Sequence, residues 1–104
     1  MIPSVKEWYS KYNGDGFTVI GVHYPEFNYE KDFGNVVKAT QDLGINYPVV
    51  LDNNGAIWSA YRQIYWPTRY LIDKKGRIRF KHIGEGSYQE TDVYIRLLLA
   101  ETYP

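Results

Sequence analysis

A chain of 104 residues has room for one domain and one core, with little stability to spare. Its twelve Lys and Arg balance twelve Asp and Glu, which argues against an electrostatic hold on nucleic acid or an anionic membrane surface. There is no cysteine, so disulfides, cysteine metal sites and thiol nucleophiles are excluded for these residues. No run is long and apolar enough to insert into a bilayer, and the first residues do not read as a signal peptide.

Aromatic content is the unusual feature: eleven Tyr, three Trp and four Phe make up 17% of the chain. Such rings bury large areas while keeping a polar handle, and they suit a Tyr-rich core and surface or a binding groove. Pro3 to Tyr12 reads as a helix, with Val5, Trp8, Tyr9 and Tyr12 on one buried face. Asn13-Gly14-Asp15-Gly16 stops it. Phe17 to His23 is β-branched and nearly continuously apolar, the pattern of a strand buried on both faces. A second helix is expected over Tyr29–Leu43, capped by Asn28 and closed by Gly44, with Phe33, Val36, Val37, Thr40 and Leu43 buried.

Tyr47 to Asp52 reads as a short strand, followed by the turn signal Asn53-Asn54-Gly55. Ala56 to Arg62 reads as a short helix burying Ile57, Trp58 and Tyr61. Thr68–Ile72 and Ile78–Ile83 form two strands joined by the hairpin signal Asp73-Lys74-Lys75-Gly76. Gly84 to Gly86 turns the chain. Ser87 with Glu90 makes a capping box for a last helix that buries Ile95, Leu98 and Leu99. Strands alternating with helices imply a partly parallel sheet covered on both faces, with the hairpin as an antiparallel edge. Residues 1–104 thus read as a single α/β domain.

Trp66-Pro67-Thr68 stands at the entrance of the first hairpin strand, where a proline marks an edge, a turn or a cis bond. Four stretches, VIGVHYPEFNYEKD, YPVVLDNNGAIWSAY, YWPTRYLIDKKGRIR and GEGSYQET, lie in register from Val19 to Thr91. On these the chain resembles the TlpA/ResA/DipZ group of thioredoxin-like thiol–disulfide oxidoreductases, and within it the DipZ C-terminal domain. The resemblance implies a thioredoxin-like fold, a mixed sheet flanked by helices. It places Pro67 at the group's cis-proline, beside which an extended substrate peptide lies. Tyr65, Trp66, Pro67 and Thr68 would line that groove, with Glu26 in the loop after the first strand as a solvated carboxylate or a tuner of proton transfer. His23 and His82 fall at no metal-ligand spacing and read as structural, and neither a metal nor a cofactor is expected.

The same resemblance locates what is absent. Members carry a Cys-x-x-Cys pair at the start of a helix, where the dipole favours the attacking thiolate. Pro3 matches the proline of that helix, so the second cysteine would fall upstream of Met1. The fold would lack the N-terminal strand or strands and the start of the active-site helix, and the chain would be redox-inactive. The absent strand normally separates Phe17–His23 from Thr68–Ile72, so the chain is expected to rearrange its sheet, to close it with a second copy of itself, or to be one fragment of a longer protein. The parent would act on protein thiols and disulfides in an extracytoplasmic, membrane-tethered protein. The alternative is a non-catalytic module that binds extended peptides through the same groove.

Overall fold

The computed structural model describes residues 1–25, 28–63 and 65–102. Helix α1 (Ile2–Tyr12) accommodates Pro3 in its first turn, where the missing N–H has no helical acceptor to lose. Trp8 and Tyr12, four residues apart, form its buried stripe. The last helix, α4 (Tyr88–Ala100), presents Thr91 and Ile95 at the same spacing. Trp8, Tyr12 and Ile95 make the core cluster, and Val5, Phe17, Leu71, Tyr88 and Leu99 pack around it. Tyr12 keeps its hydroxyl satisfied by donating to Asp92 Oδ1 at 2.7 Å.

Strands β3 (Thr68–Ile72) and β4 (Ile78–Ile83) pair antiparallel with the bounds expected from the sequence. Arg69 and Leu71 share the face that meets α1 and α4, because alternate residues of a strand point the same way. Arg69 is buried there without a carboxylate partner. Its guanidinium lies 5.8 Å from the Trp8 ring centre and 5.1 Å from that of Tyr88, and its Nε and Nη2 donate to Thr91 Oγ1 at 3.1 and 2.9 Å. Rings and a hydroxyl thus stand in for a counter-ion, and burial pulls the guanidinium pKa down from its ordinary value.

The hairpin turn is organised by Asp73, whose side chain is fully buried. Its Oδ1 accepts the N–H groups of Lys75 and Arg77 at 2.9 and 3.0 Å. Its Oδ2 meets Arg77 Nε at 2.9 Å and Arg79 Nη1 at 3.2 Å. Arg79 then clasps Glu101 with two bonds of 2.9 and 2.8 Å, tying the hairpin to the end of α4.

The first half of the chain forms a second unit. Strand β1 (Gly21–His23) pairs parallel with β2 (Val49–Leu51), and α2 (Phe33–Asp42) makes the crossover between them. Helix α3 (Ala56–Ala60) follows β2 and starts on the buried Asp52, whose two oxygens accept the N–H groups of Ile57 and Trp58 at 3.0 and 2.7 Å.

Several expectations are corrected here. The strand foreseen over Phe17–His23 shrinks to three residues, and it is not buried on both faces: Ile20 is 62% and Val22 47% exposed. Helix α2 begins at Phe33 rather than Tyr29, after a 3₁₀ turn over Asn28–Lys31. Its cap is Asp32, which accepts from the Asn35 N–H at 3.0 Å, so Asn28 does not serve as the cap. Phe33 is 70% exposed and Leu43 is exposed too, while Val36, Val37 and Thr40 between them are half-buried. Ile57 of α3 and Tyr61 just after it are likewise exposed rather than buried, and the helix ends at Ala60 rather than Arg62. Ser87 forms no capping box, since it sits in the left-handed region and its side chain accepts no cap bond.

The sheet itself is in two halves. Among the described residues β1 pairs with β2 and β3 with β4, and no ladder joins Phe17–His23 to Thr68–Ile72.

The core on the α1–α4 side makes two outcomes testable. Ile95 is 2% exposed, so Ile95→Ala is expected to cost about 2–4 kcal/mol in chemical denaturation. The Asp73 carboxyl is held below the usual carboxylate range, chiefly by the Arg77 N–H and then by the Arg79 guanidinium, against an opposing push from burial. Its contribution is complete above the unfolded value of about 4 and drains away as pH falls below it. Melting curves against pH are expected to drop more steeply below about pH 4 in the wild type than in Asp73→Asn.

Candidate functional site: the aromatic corner at Pro67

The local sequence assembles this corner from two loops and a helix. Tyr24 directly follows β1, Trp58 sits in α3 and Trp66 precedes β3. Tyr24 stacks on Trp58 with ring centres 4.6 Å apart, and on Trp66 at 5.9 Å with planes 16° apart. Trp58 and Trp66 close the triangle at 4.5 Å. Each such contact contributes about 0.5–1.5 kcal/mol beyond burial of area. Gly55 makes the close approach possible. It adopts φ +74°, and a Cβ there would stand 3.0 Å from the Tyr24 ring.

The Trp66–Pro67 peptide bond is cis, as the resemblance implied. Pro67 and Thr68 are half-buried, whereas Tyr65 and Trp66 remain exposed, Trp66 at 50%. Thr68 Oγ1 donates to the Tyr65 carbonyl at 2.8 Å, which pins the loop back on itself. From the other side, Gly84 N–H donates to the Pro67 carbonyl at 2.7 Å. The adjoining Glu85 accepts from the Tyr88 hydroxyl and, at 3.0 Å, from the Met1 amine. Those bonds hold its carboxyl below the usual range, the Tyr88 bond most of all. An open cavity of ≈ 310 Å³ lies against this corner, lined by Val22, His23, Tyr24, Glu30 and Trp66.

The structure therefore brings Tyr65, Trp66, Pro67 and Thr68 together. Glu26 lies outside the described residues. Glu30 lines the cavity, and its carbonyl lies 3.1 Å from His23 Nε2. His82 Nε2 similarly lies 3.0 Å from the Glu85 carbonyl, so each ring sits against backbone. Tyr24 and Trp58 were not singled out by the sequence as part of the site. Tyr24 carries only the local pair Tyr24-Pro25, a pattern that Tyr47-Pro48 and Tyr103-Pro104 share, and Trp58 is followed by Ser59. No group of three or more His, Cys, Asp or Glu is placed to hold a metal among the described residues.

Residues 1–81 match the profile of the AhpC/TSA family. The chain belongs to that family. Over 103 residues it is 50% identical to "Protein DipZ" of Mycobacterium tuberculosis (strain CDC 1551 / Oshkosh), matching 99% of this chain and 15% of that protein. The chain thus spans only a small part of that relative's length. It is 29% identical to the "Thiol-disulfide oxidoreductase YkuV" of Bacillus subtilis over 97% of this chain and 68% of YkuV. Among solved structures, a thioredoxin-like superfamily protein superimposes with a TM-score of 0.88 at 27% identity, over 99% of this chain and 71% of that one. The fold is thioredoxin-like, and the family likeness is to thiol–disulfide oxidoreductases, as the quoted stretches implied. With no cysteine, the chain holds no thiol to exchange.

Gly55→Ala is expected to destabilise the chain by about 1–2 kcal/mol, from the left-handed backbone alone, and to lower the near-UV circular dichroism of the ring stack. An unchanged near-UV spectrum would show that Gly55 does not hold the rings together.

Proposed function

We propose that the corner at Pro67 is the peptide-recognition part of a thioredoxin-like thiol–disulfide oxidoreductase domain, present here without its redox pair. The observation that supports this most directly is the half-exposed Trp66, locked by Tyr24 and Trp58 at the rim of an open cavity. A ring fixed in advance loses little freedom when a ligand covers it, so it serves well as a wall. In this reading Tyr65 and Trp66 wall the groove, Pro67 shapes its floor and the Trp66 backbone meets an extended peptide. Thr68 holds the loop through its bond to Tyr65. Glu26 would stand at the mouth of the groove as a loop carboxylate.

The substrates of the parent protein would be protein disulfides and thiols, exchanged through a mixed disulfide that this chain cannot form. By its likeness to DipZ, we place the parent outside the cytoplasm on a membrane-tethered protein. Among the described residues no helix is long and apolar enough to cross a membrane.

Tryptophan fluorescence titration with an insulin B-chain peptide whose cysteines are alkylated tests the groove. Saturable binding is expected, weakened about fivefold by Trp66→Ala, the equivalent of losing one aromatic contact. Binding that is indifferent to Trp66→Ala would remove the groove from the proposal. Insulin reduction by the chain is expected to be blank.

A further inference from the structure

The free edge of β4 can be read from the bonds the strand already makes. Arg69 pairs with His82, Leu71 pairs with Phe80, and Gly84 N–H donates to the Pro67 carbonyl at 2.7 Å. Phe80, His82 and Gly84 therefore aim their backbone groups at β3. Alternation turns the N–H and C=O of Lys81 and Ile83 to the outer side. Among the described residues no second ladder takes them up. The other end of the strand is interrupted. Leu71 pairs with Phe80 but Ile72 with Ile78, so Arg79 is the extra residue of a bulge, and Asp73 and Glu101 hold its side chain. From Phe80 to Ile83 the edge is regular.

An apolar flank runs beside that edge. Thr91 of α4 bonds to Arg69 of β3, and Tyr94 of α4 meets Phe80 of β4 with ring centres 4.8 Å apart. The helix surface thus passes from β3 to β4 between Thr91 and Tyr94. Continuing round the helix in the same sense brings Leu97 and then Val93, on the side beyond β4. These side chains are open: Leu97 is 58%, Val93 44% and Tyr94 37% exposed. A cation and a bulge on an edge strand commonly guard it against pairing. Guarding accounts for Lys81 but not for a contiguous apolar stripe left beside the edge, which favours association.

We propose that the shelf between the β4 edge and α4 receives an extended segment of another polypeptide, apolar toward α4 and acidic toward Lys81. The segment adds a strand to β4 through the backbone groups of Lys81 and Ile83, and its alternate side chains fall on opposite faces. One set lies over Phe80, Tyr94 and Leu97. The other set meets the far face of the hairpin. Thr68, Tyr70 and Ile72 share that face of β3, so their partners Ile83, Lys81 and Ile78 share it on β4. Lys81 Nζ lies 5.5 Å from the Tyr70 ring centre, which keeps its charge on that face. A carboxylate directly across from it completes a cross-strand pair. A second copy of this chain fits poorly. Overlap of two copies over Phe80–Ile83 sets Lys81 opposite or diagonal to its counterpart, where like charges repel. One lysine thus admits an acidic strand and turns away the chain's own edge. The shelf uses none of Tyr65, Trp66, Pro67 and Thr68, so it stands independently of the groove.

Backbone hydrogen exchange on the intact chain, read residue by residue by NMR, tests this. The probe is a synthetic peptide of about eight residues, rich in Val and Thr, with glutamate at its centre. One control puts lysine in place of that glutamate. Another sets a proline on either side of it, which removes donors and breaks the ladder. At saturation with the glutamate peptide, exchange at the Lys81 and Ile83 amides is expected to slow about tenfold. The lysine peptide is expected to bind about fivefold more weakly, and the proline peptide to protect neither amide. Lys81→Glu is expected to reverse the preference between the first two peptides. Leu97→Ser is expected to weaken both about threefold. Equal affinity for the glutamate and lysine peptides, protection confined to other amides, or no binding would overturn the proposal. Protection of Lys81 and Ile83 in the chain alone, growing with its concentration, would assign the edge to a second copy and overturn it equally.

Discussion

The arrangement of this chain depends on where its backbone hydrogen bonds can go. A strand offers donors and acceptors to both sides, and each buried group left without a partner costs about 1–3 kcal/mol. β3 satisfies one side through β4, and β1 one side through β2. Among the described residues neither strand has a ladder on its other side. Exposure of Ile20, Val22 and Ile72 is the companion of that fact, because water must reach the edges that no strand covers.

The same constraint explains why the buried core is lopsided. Every buried apolar residue among those described belongs to α1 or α4, and both helices pack with Leu71 and Arg69 of β3. Neither α2 nor α3 has a buried residue. Their apolar faces have the right spacing, yet Phe33 of α2 and Ile57 of α3 stay exposed. The second half is also tied together by charge: Asp73 organises the hairpin and hands on, through Arg79, to Glu101 beyond α4. Arg69 adds a buried cation held by two rings, Thr91 and the Gly86 carbonyl. In the first half Asp52 joins the end of β2 to the start of α3 and so delivers Trp58 to the ring stack.

This division also decides what could be read from the residues alone. The hairpin was legible to its last residue, because Asp73-Lys74-Lys75-Gly76 specifies the turn and β-branched runs flank it. The stripe of Trp8 and Tyr12 was legible for the same kind of reason, since one helical period fixes one face. The misreadings cluster in the first half. Phe17 to His23 has the composition of a central strand, but composition cannot say whether neighbours exist on both sides. Only Gly21–His23 finds one. Phe33 and Leu43 were assigned to a buried face by periodicity, which defines a face but not what covers it. Tyr65, Trp66, Pro67 and Thr68 were legible as a site through a motif at one place in the chain. Tyr24 and Trp58 were not, because their part in it exists only once two distant loops and a helix meet.

The absence of cysteine and the open sheet are therefore separate facts with one structural meeting point. Exchange chemistry needs a thiolate, and no rearrangement of these residues could supply one. Recognition needs only a preformed surface, and that surface is made by residues after β1, in α3 and before β3. Gly55 lets the Tyr24 ring approach, and Asp52 sets the start of α3 and with it Trp58. The ring stack therefore ties the end of β1 to the start of β3, although the two strands share no ladder.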